Sequence, residues 1–308
     1  MPLIAIAGPT GSGKSALALR VAEEFNGEVV NCDSVQIYRG FDIGTAKLPL
    51  AERRGIPHHL IDIAEPDEVF TAGEFARRGR QVLADIAARG RVPVVSGGTG
   101  FYLRALIDGL SPGPARDPLL RIRLARREER RHGSLHRLLR RLDPSSAARI
   151  HHRDIPKTMR ALEIRLLTGT PASHLFREGR EPLEGFQIVK IGLFPPRQLL
   201  YERLNLRCEY MFQDGLMNEA ENLLKIGVPP DAKPFQSLGY SQALQVMGGE
   251  LTLPEAIDAA KQATRRYAKR QTTWFRKEAD LPRFDGFGDD EAIQAAVVRV
   301  VRSAIAQD

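Results

Sequence analysis

Short apolar runs alternate with amphipathic stretches over the first hundred residues of the chain. Apolar runs at Leu3–Ala7, Val29–Cys32 and Val92–Val95 predict three strands. Helical spacing of apolar positions predicts one helix over Lys14–Phe25 and a second over Thr71–Gly90. This alternation is typical of a parallel sheet covered by helices, so an α/β fold is predicted.

Polar or glycine-rich segments follow all three predicted strands. Gly8–Ser15 follows the first strand, Asp33 follows the second, and Ser96–Gly100 follows the third. Ligands bind at the carboxyl ends of the strands in open α/β sheets. We therefore expect these three segments to form one site.

The first of these segments matches the P-loop pattern G-x-x-x-x-G-K-[ST], with a predicted strand before it and a helix after it. Its backbone N–H groups and the helix N-terminus are suited to phosphate oxygens. Lys14 supplies a positive charge, and the Ser15 hydroxyl can bind Mg²⁺. The predicted phosphate-binding residues are Gly8, Pro9, Thr10, Gly11, Ser12, Gly13, Lys14 and Ser15.

The pattern changes to densely charged helices after residue 114. Between Arg116 and Arg141 the leucines have helical spacing, and arginine outnumbers the acidic residues Asp117, Glu128 and Glu129. We expect a helical basic insertion domain over 115–185. The architecture is then a P-loop parallel-sheet core, formed by 1–114 and 186–308 and flanked by helices, with this insertion.

The chain after the insertion resumes the core pattern. A strand is predicted over Gln187–Phe194, and a long helix from Pro254 towards Lys277. That helix carries a second group of cations at Lys261, Arg265, Arg266, Lys269, Arg270, Arg276 and Lys277. Two basic surfaces indicate a polyanionic partner more than a small metabolite, although charge-rich helices are often only solvated. Tyr267 and Trp274 on the same helix are expected to anchor the core rather than to stack on bases.

The composition favours a soluble cytoplasmic protein. Lys and Arg number 45 against 38 Asp and Glu, which gives a net charge of +7 over 308 residues. Cys32 and Cys208 have no disulfide or metal-ligand spacing, and Cys32 is expected to be a small buried residue. No apolar run approaches the roughly 20 residues that span a bilayer, and the N-terminus has no basic leader.

A carboxylate near the phosphate loop is the main candidate for chemistry. The strand at Val92–Val95 ends without the acid that holds Mg²⁺ in many NTPases, which favours small-group transfer over hydrolysis. Asp33 could accept a proton, bind Mg²⁺ through water or cap a turn, and Asp62 is a weaker candidate. Thr99 could place its hydroxyl on a substrate or simply occupy a turn.

Several segments, taken in order, resemble tRNA dimethylallyltransferases, also called isopentenyl-tRNA transferases. These segments are Gly8–Ser15, Asp33–Tyr38, Asp42–Lys47, Pro57–Leu60, Gly97–Leu103, Arg160–Glu163 and Ala268–Trp274. The resemblance covers nearly the whole chain, and several of its motifs are specific beyond the P-loop.

The resemblance implies an activity. The family moves a dimethylallyl group from its diphosphate to N6 of the adenine 3′-adjacent to the anticodon, in tRNAs that read codons beginning with U, and it uses Mg²⁺. The phosphate loop would then hold dimethylallyl diphosphate rather than ATP. The adenine must leave the anticodon-loop stack to enter a pocket, which is a usual mode of RNA recognition.

The resemblance also implies residue roles. Asp33 matches the general base, and Thr99 and Arg207 match further catalytic positions, with Arg207 assisting the diphosphate. Contacts of the insertion domain and of the core with tRNA are implied at Asp33, Ser34, Val35, Gln36, Thr99, Arg121, Pro156, Lys157, Thr158, Met159, Arg160, Gln236, Ser237, Leu238, Gly239, Tyr240 and Ser241. The chain is expected to act as a monomer.

Two segments depart from the family pattern. Arg153–Lys157 stands where the family has Asn-Asp-x-Gln-Arg, and Gln236–Ser241 lacks the basic residue at each end of the usual Arg-x-x-Gly-Tyr-Arg/Lys segment. The individual tRNA contacts of Arg153–Lys157 therefore do not follow from the family pattern. For Gln236–Ser241, either the RNA contacts are rearranged or their charge comes from elsewhere in the chain. Neither departure involves the phosphate loop or Asp33.

Three other functions remain open from the sequence. An adenylate isopentenyltransferase would modify free AMP or ATP, and a P-loop kinase would transfer phosphate from ATP. A pure RNA-binding module would not need both an intact phosphate loop and Asp33.

Overall fold

The computed structural model describes residues 1–111, 113–176, 179–278 and 280–306. The chain forms two compact units. The first, called the core unit, comprises Met1–Ile107 and the chain from Leu183 onward; the second, called the inserted unit, is Asp108–Pro182. Within the described residues, no helix is both long and apolar enough to cross a lipid bilayer.

A parallel sheet forms the centre of the core unit. Its strands in the described residues are β1 (Pro2–Ala7), β2 (Gly27–Asn31), β3 (His58–His59), β4 (Val92–Gly97), β5 (Gln187–Leu193) and β6 (Arg283–Phe284). They lie in the order β3-β2-β4-β1-β5-β6, and the pairs are parallel, with Ile4 opposite Val94 and Val189. The predicted α/β fold is therefore confirmed.

Helices cover both faces of this sheet because its strands are apolar on both sides. The helices of the core unit are α1 (Lys14–Glu24), α2 (Ala72–Ala88), α3 (Gly100–Ile107), α9 (Arg197–Gln213), α10 (Leu216–Lys225), α11 (Tyr240–Met247), α12 (Leu253–Phe275) and α13 (Glu291–Ile305). Leu3 and Val95 face one cluster of buried side chains, which includes residues of α2, α3 and α10–α12. Ile4 and Val94 face the other cluster, which includes residues of α1 and α13.

The predicted elements of the core unit lie within a few residues of those observed. Thr71 caps α2, since its Oγ1 accepts a hydrogen bond from Glu74 N at 3.1 Å. The two-residue strands β3 and β6 were not predicted, because two residues give no periodicity. Short 3₁₀ helices also form at Leu50–Arg53 and Lys233–Gln236.

The inserted unit is helical and has its own apolar core. The segments at its two ends lie side by side, because a Cβ added to Gly109 would lie 2.2 Å from Glu181 O. Its limits, Asp108 and Pro182, precede the expected 115–185 at both ends. Its helices are α4 (Pro118–Arg130), α5 (Ser134–Leu142), α6 (Pro144–Arg149), α7 (Ile155–Thr168) and α8 (Ala172–Leu175).

A buried carboxylate connects three of these helices. Asp143, 1% exposed, accepts hydrogen bonds from the backbone N and hydroxyl of both Ser146 and Ser173, at 2.6 to 3.0 Å. Burial acts to raise the pKa of Asp143, but the hydrogen bonds from Ser146 and Ser173 lower it to about 2. Asp143 therefore stays ionised and joins the end of α5 to α6 and α8.

We predict that Asp143→Ala destabilises the inserted unit by about 2 to 4 kcal/mol, because four hydrogen bonds to a buried charge are lost. The contribution of Asp143 is present above the ordinary Asp pKa and is lost as the pH falls from about 4 towards 2. The measurement is urea unfolding at several pH values. The control is Asp154→Ala, which removes the exposed cap of α7 and should cost about 1 kcal/mol; equal losses in both variants would contradict the prediction.

Candidate active site

The phosphate loop lies between β1 and α1 with its glycines in conformations that other residues rarely adopt. Gly11 and Gly13 have φ of 77° and 82°. A Cβ at Gly13 would lie 2.6 Å from Gly288 N, and Gly288 N itself donates to Ser12 O at 2.9 Å. The loop therefore packs against the segment that precedes α13, and glycine is required for that approach.

A cavity of about 1120 Å³ opens above this loop. Thr10, Gly11, Gly13, Lys14 and Ser15 form its floor, and α9 contributes Arg207. Further residues that line the cavity are Asn31, Asp33, Gln36, Ser96, Gly97, Gly98, Arg203 and Gln271. The ends of β1, β2 and β4 thus meet at one cavity, as the strand order of a parallel sheet dictates.

Cations and unpartnered polar atoms surround the loop. Arg207 Nη2 donates to Thr10 Oγ1 at 2.7 Å, and Lys14 Nζ donates to Pro9 O at 2.8 Å. Among the described residues, Arg207 Nε and Ser12 Oγ are buried without a hydrogen-bond partner. Such groups are costly unless an acceptor reaches them, and phosphate oxygens are suitable acceptors. Burial lowers the pKa of Lys14 to about 8, although Asp33 opposes that shift.

Asp33 lies at the junction of this cavity with a second one. Its Oδ1 accepts hydrogen bonds from Val35 N at 2.8 Å and Gln36 N at 3.3 Å. In the part of the chain that the structure describes, no hydrogen bond reaches Oδ2. Asp33 therefore caps its own turn, as one of the sequence interpretations held, and still borders both cavities.

The second cavity, of about 290 Å³, has mixed polar and apolar walls. Gln236–Gly239, from the segment before α11, line it together with Tyr267 and Cys208. Burial raises the pKa of Tyr267 to about 12, and the nearby Asp33 acts in the same direction. Tyr267 is thus a neutral hydroxyl-bearing ring beside Asp33. It was expected to anchor the core, but it is only partly buried and lines the cavity.

Thr99 holds the loop that carries Asp33. Its Oγ1 accepts a hydrogen bond from Ser34 N at 3.1 Å and also contacts the Ser34 hydroxyl at 3.4 Å. Cys32 is 1% exposed and lies 3.8 Å from Thr99 O through its Sγ. Burial raises the pKa of the Cys32 thiol, so this residue is an inert packing group, as predicted.

Two grooves on the surface are lined mainly by cations. In the core unit, α12 and α3 border a groove of about 610 Å³ with Arg104, Arg266, Lys269, Arg270, Thr273, Trp274 and Lys277. The Arg104 guanidinium lies 4.5 Å from the Trp274 ring centroid. In the inserted unit, a groove of about 430 Å³ is lined by Arg123, Arg126, Arg127, Arg130, Arg131 and Ser134.

Two arginines that were expected to contact tRNA are ion-paired within the inserted unit. Arg121 donates to both carboxylate oxygens of Glu163, at 2.7 and 2.9 Å, and Arg160 donates to Glu163 at 2.7 Å. Glu163 is fully buried. Burial acts to raise its pKa, but Arg121 and Arg160 lower it to about 2. Both arginines therefore have a structural role. Because two arginines share one carboxylate, one positive charge is left over, and both guanidinium groups are partly exposed.

Two other residues of the expected tRNA surface are not at the surface. Thr158 and Tyr240 are both 0% exposed. Tyr240 packs against Phe41, donates to Glu219 and accepts from Gly44 N at 3.1 Å. Because both side chains are fully buried in this structure, neither presents a surface to RNA.

Other predicted tRNA-contact residues are accessible. Pro156 and Lys157 are exposed or partly exposed in the first turn of α7, and Met159 is partly buried there. The segment before α11 is also accessible in part, at Gln236, Ser237 and Leu238, and Ser241 in the first turn of α11 is partly exposed. Val35 and Gln36 border the cavities beside Asp33.

Gln271 is a site residue that the sequence analysis did not single out. It is 6% exposed, and its amide binds Thr10 N and Gly98 O, both at 2.8 Å. Its spacing in the sequence could have indicated that it is buried. Gln271 lies on the same face of α12 as the buried residues Thr264, Ala268 and Phe275. A polar residue on such a face needs a partner.

The donors around the loop fit a hydrated divalent ion. The described residues contain no group of three or more His, Cys, Asp or Glu side chains that could hold a metal ion. Mg²⁺ usually keeps several waters and takes few protein ligands together with substrate phosphates. Ser15 is exposed at the start of α1 and lines the same cavity as Asp33, so one hydroxyl and a nearby carboxylate are available.

Comparisons with known proteins agree on one family. A model of the family "IPP transferase" matches residues 36–278. A tRNA dimethylallyltransferase of Solibacter usitatus is 60% identical over 303 residues, which cover 98% of this chain and 99% of that protein. The corresponding protein of Koribacter versatilis is 50% identical over 307 residues and covers 98% of each chain.

Solved structures give the same result. A tRNA isopentenylpyrophosphate transferase from Bacillus halodurans has a TM-score of 0.74 and 38% identity, and the match covers 99% of this chain and 97% of that one. A eukaryotic dimethylallyltransferase acting on tRNA has a TM-score of 0.82 and 29% identity, covering 98% of this chain and 77% of that one.

We predict that inorganic diphosphate binds this protein more weakly as the pH rises above 8, because Lys14 loses its proton near that pH in the free protein. Bound diphosphate raises the pKa of Lys14, so affinity is retained below pH 8 and declines by about tenfold between pH 7 and pH 9. Isothermal titration calorimetry measures this profile. Lys14→Arg is the control, since arginine does not titrate there; the same decline in both proteins would contradict the assignment to Lys14.

Proposed function

The chain belongs to the IPP transferase family and is a prenyl-transferring enzyme, and from this premise we propose its full reaction. It transfers a dimethylallyl group from dimethylallyl diphosphate to N6 of the adenine 3′-adjacent to the anticodon, in tRNAs reading codons that begin with U. One observation carries the proposal: Asp33 borders both the phosphate-loop cavity and the smaller cavity beside Tyr267. A base at that junction lies between a bound diphosphate and a bound nucleobase.

The diphosphate occupies the loop end of the larger cavity. Lys14, Thr10 and Arg207 bind its oxygens, and the unpartnered Ser12 Oγ and Arg207 Nε supply further donors. As the bond between the allylic carbon and the diphosphate oxygen breaks, negative charge grows on the leaving group. Fixed cations that stabilise this charge lower the barrier. Both cations are in place before substrate binds.

The adenine occupies the smaller cavity, outside its stack. Its N6 forms the new bond to the allylic carbon while Asp33 accepts a proton from N6. The two hydrogen bonds to Oδ1 fix the carboxylate and leave Oδ2 for that proton. Thr99 orients this loop through Ser34 N. The products are N6-dimethylallyladenosine in tRNA and diphosphate, and the proton resides on Asp33.

The divalent ion is proposed to be Mg²⁺, held by the Ser15 hydroxyl, water and the diphosphate. When bound, it neutralises part of the leaving-group charge. The protein supplies the rest of that compensation through Lys14 and Arg207.

The tRNA is proposed to contact both basic grooves. The exposed arginines of α4 and the cations of α12 form no ion pair with a carboxylate in the described residues, except Lys261, which pairs with Glu209. Unpaired cations at helical spacing repel one another unless an anion lies nearby, and the phosphates of an anticodon stem-loop provide that anion. Exposed Lys157 and Gln236 are proposed as further tRNA contacts, and Val35 and Gln36 are proposed to contact the extruded adenine.

The chain is proposed to act as a monomer, because residues of a single chain line both cavities. It is proposed to act in the cytoplasm because its proposed substrate is tRNA. An adenylate isopentenyltransferase and a P-loop kinase are not favoured, since the relatives are named for tRNA. Free AMP and ATP therefore enter the experiments below as competing substrates.

We predict that radiolabel from dimethylallyl diphosphate appears in unmodified tRNA and not in AMP, and that Asp33→Asn reduces this transfer by about 100-fold or more. Asparagine keeps an oxygen for Val35 N and Gln36 N, so the loop is preserved while the base is lost. Filter binding should show tRNA affinity within about threefold of the unmodified protein, because the two basic grooves remain intact.

The control for this experiment is Asp67→Asn, which changes an exposed carboxylate outside both cavities and should leave the rate unchanged. Full turnover by Asp33→Asn would remove the base assignment. Label in AMP would indicate the nucleotide prenyltransferase, and phosphate transfer from ATP without prenyl transfer would indicate the kinase.

We predict that the triple variant Arg123→Ala, Arg127→Ala and Arg130→Ala lowers the salt dependence of tRNA binding. The slope of log K against log salt should fall by about one for each RNA phosphate that the variant no longer neutralises. The control replaces three arginines outside both grooves, Arg54, Arg77 and Arg299, and removes the same net charge. Equal slopes for the two triple variants would show that the α4 groove does not contact RNA.

A further inference from the structure

Gln271 joins two loops of the active site through one buried amide. Its Oε1 accepts a hydrogen bond from Thr10 N in the phosphate loop, and its Nε2 donates to Gly98 O in the loop after β4, both at 2.8 Å. Gln271 is 6% exposed. Both ends of the amide are therefore used, each with the partner that suits its chemistry.

Each of the two loops leads to one end of the reaction. Thr10 Oγ1 also accepts from Arg207 Nη2 at 2.7 Å, so the position of Thr10 sets that of the Arg207 guanidinium. Gly98 precedes Thr99, whose Oγ1 accepts from Ser34 N next to Asp33. A chain of contacts thus runs from Arg207, the cation beside the diphosphate, to the loop of Asp33, the proposed general base. Gln271 lies in the middle of this chain.

The approach of Gln271 to Gly98 requires glycine. A Cβ at Gly98 would lie 2.3 Å from Gln271 Nε2, which is far inside van der Waals contact. One turn further along α12, Trp274 makes a similar approach, with Nε1 2.2 Å from a Cβ at Gly100. Helix α12 therefore packs closely against both the loop after β4 and the start of α3.

We propose that Gln271 is a positioning residue. It fixes the distance between Thr10 and Arg207, which bind the diphosphate, and Thr99 and Asp33, which hold and supply the general base. This inference rests on the proposed prenyl transfer. Gln271 touches no reacting atom; it acts through the two loops. A displacement of about 1 Å between reacting groups can lower a rate by about 100-fold, and one amide controls that displacement here.

The first test compares Gln271→Met with the unmodified protein. Methionine keeps the volume of glutamine and loses both hydrogen bonds. We expect kcat to fall by about 10- to 100-fold and KM for dimethylallyl diphosphate to rise, while KM for tRNA stays within about twofold. The control is Gln262→Met, an exposed position on the same helix, which should change none of these values.

The second test uses Gln271→Glu and a pH profile. When the introduced carboxyl group is ionised, one oxygen still accepts from Thr10 N, but the other faces Gly98 O without a proton. When the same group is protonated, it restores a donor to Gly98 O and has the shape of the glutamine amide. The rate of Gln271→Glu relative to the unmodified protein should therefore rise as the pH falls from about 8.5 to about 6, because burial and the Gly98 carbonyl raise the pKa of this carboxyl. A purely structural role predicts a flat ratio.

Titration of inorganic diphosphate separates this inference from the proposed function. If the unmodified protein transfers no label to tRNA, the proposed function fails, yet weaker diphosphate binding by Gln271→Met still supports positioning of the phosphate loop. The positioning role of Gln271 would be overturned if Gln271→Met left both diphosphate affinity and kcat unchanged and if the rate of Gln271→Glu relative to the unmodified protein did not vary with pH. Equal loss of kcat in Gln262→Met would also overturn it.

Discussion

The site depends on the parallel pairing of β1 with β4 and of β4 with β2. Parallel strands present their carboxyl ends at the same edge, so the phosphate loop, the Asp33 turn and the Gly97–Gly98 loop must meet there. Glycine is required where the end of β4 approaches the residue before Asp33, since a Cβ at Gly97 would lie 2.0 Å from Cys32 O. Side chains from α9 and α12 then fill the remaining sides of the two cavities, and the chemistry follows from which group each loop carries.

Helix α12 combines two roles on two faces. Its buried face holds the active-site loops through Gln271, while its exposed face carries Lys269 and Arg270 in a basic groove. The inserted unit shows a similar division, since buried Glu163 and Asp143 hold its helices together and the arginines of α4 remain outside. In both units, buried carboxylates or amides join elements of the structure, while cations lie on the surface of the same unit. The proposed binding of a polyanion and the proposed positioning of the reacting groups would thus use the same helix, α12.

The sequence predicted the elements with strong periodicity and the residues in fixed motifs. β1, α1, β4 and α12 were predicted to within a few residues. Asp33 was identified from its position after the second predicted strand, whereas Arg207 was named only through the family resemblance. Local pattern could not show that Tyr240 is a core residue, because its partners Phe41 and Glu219 are distant in sequence. For the same reason Arg121 could not be distinguished from the exposed arginines of α4, since its partner Glu163 belongs to α7. Gln271 was missed because its two partners come from the other end of the chain.

In the proposed reaction, the phosphate loop holds the diphosphate that leaves when the allylic carbon of dimethylallyl diphosphate bonds to an adenine in tRNA. Phosphorus-31 NMR follows the fate of that diphosphate directly in a mixture of protein, Mg²⁺, dimethylallyl diphosphate, ATP and unmodified tRNA. Inorganic diphosphate should appear only when tRNA is present, in an amount equal to the prenylated adenine, while the ATP resonances stay unchanged. Release of orthophosphate, or consumption of ATP with dimethylallyl diphosphate intact, would contradict the proposed reaction.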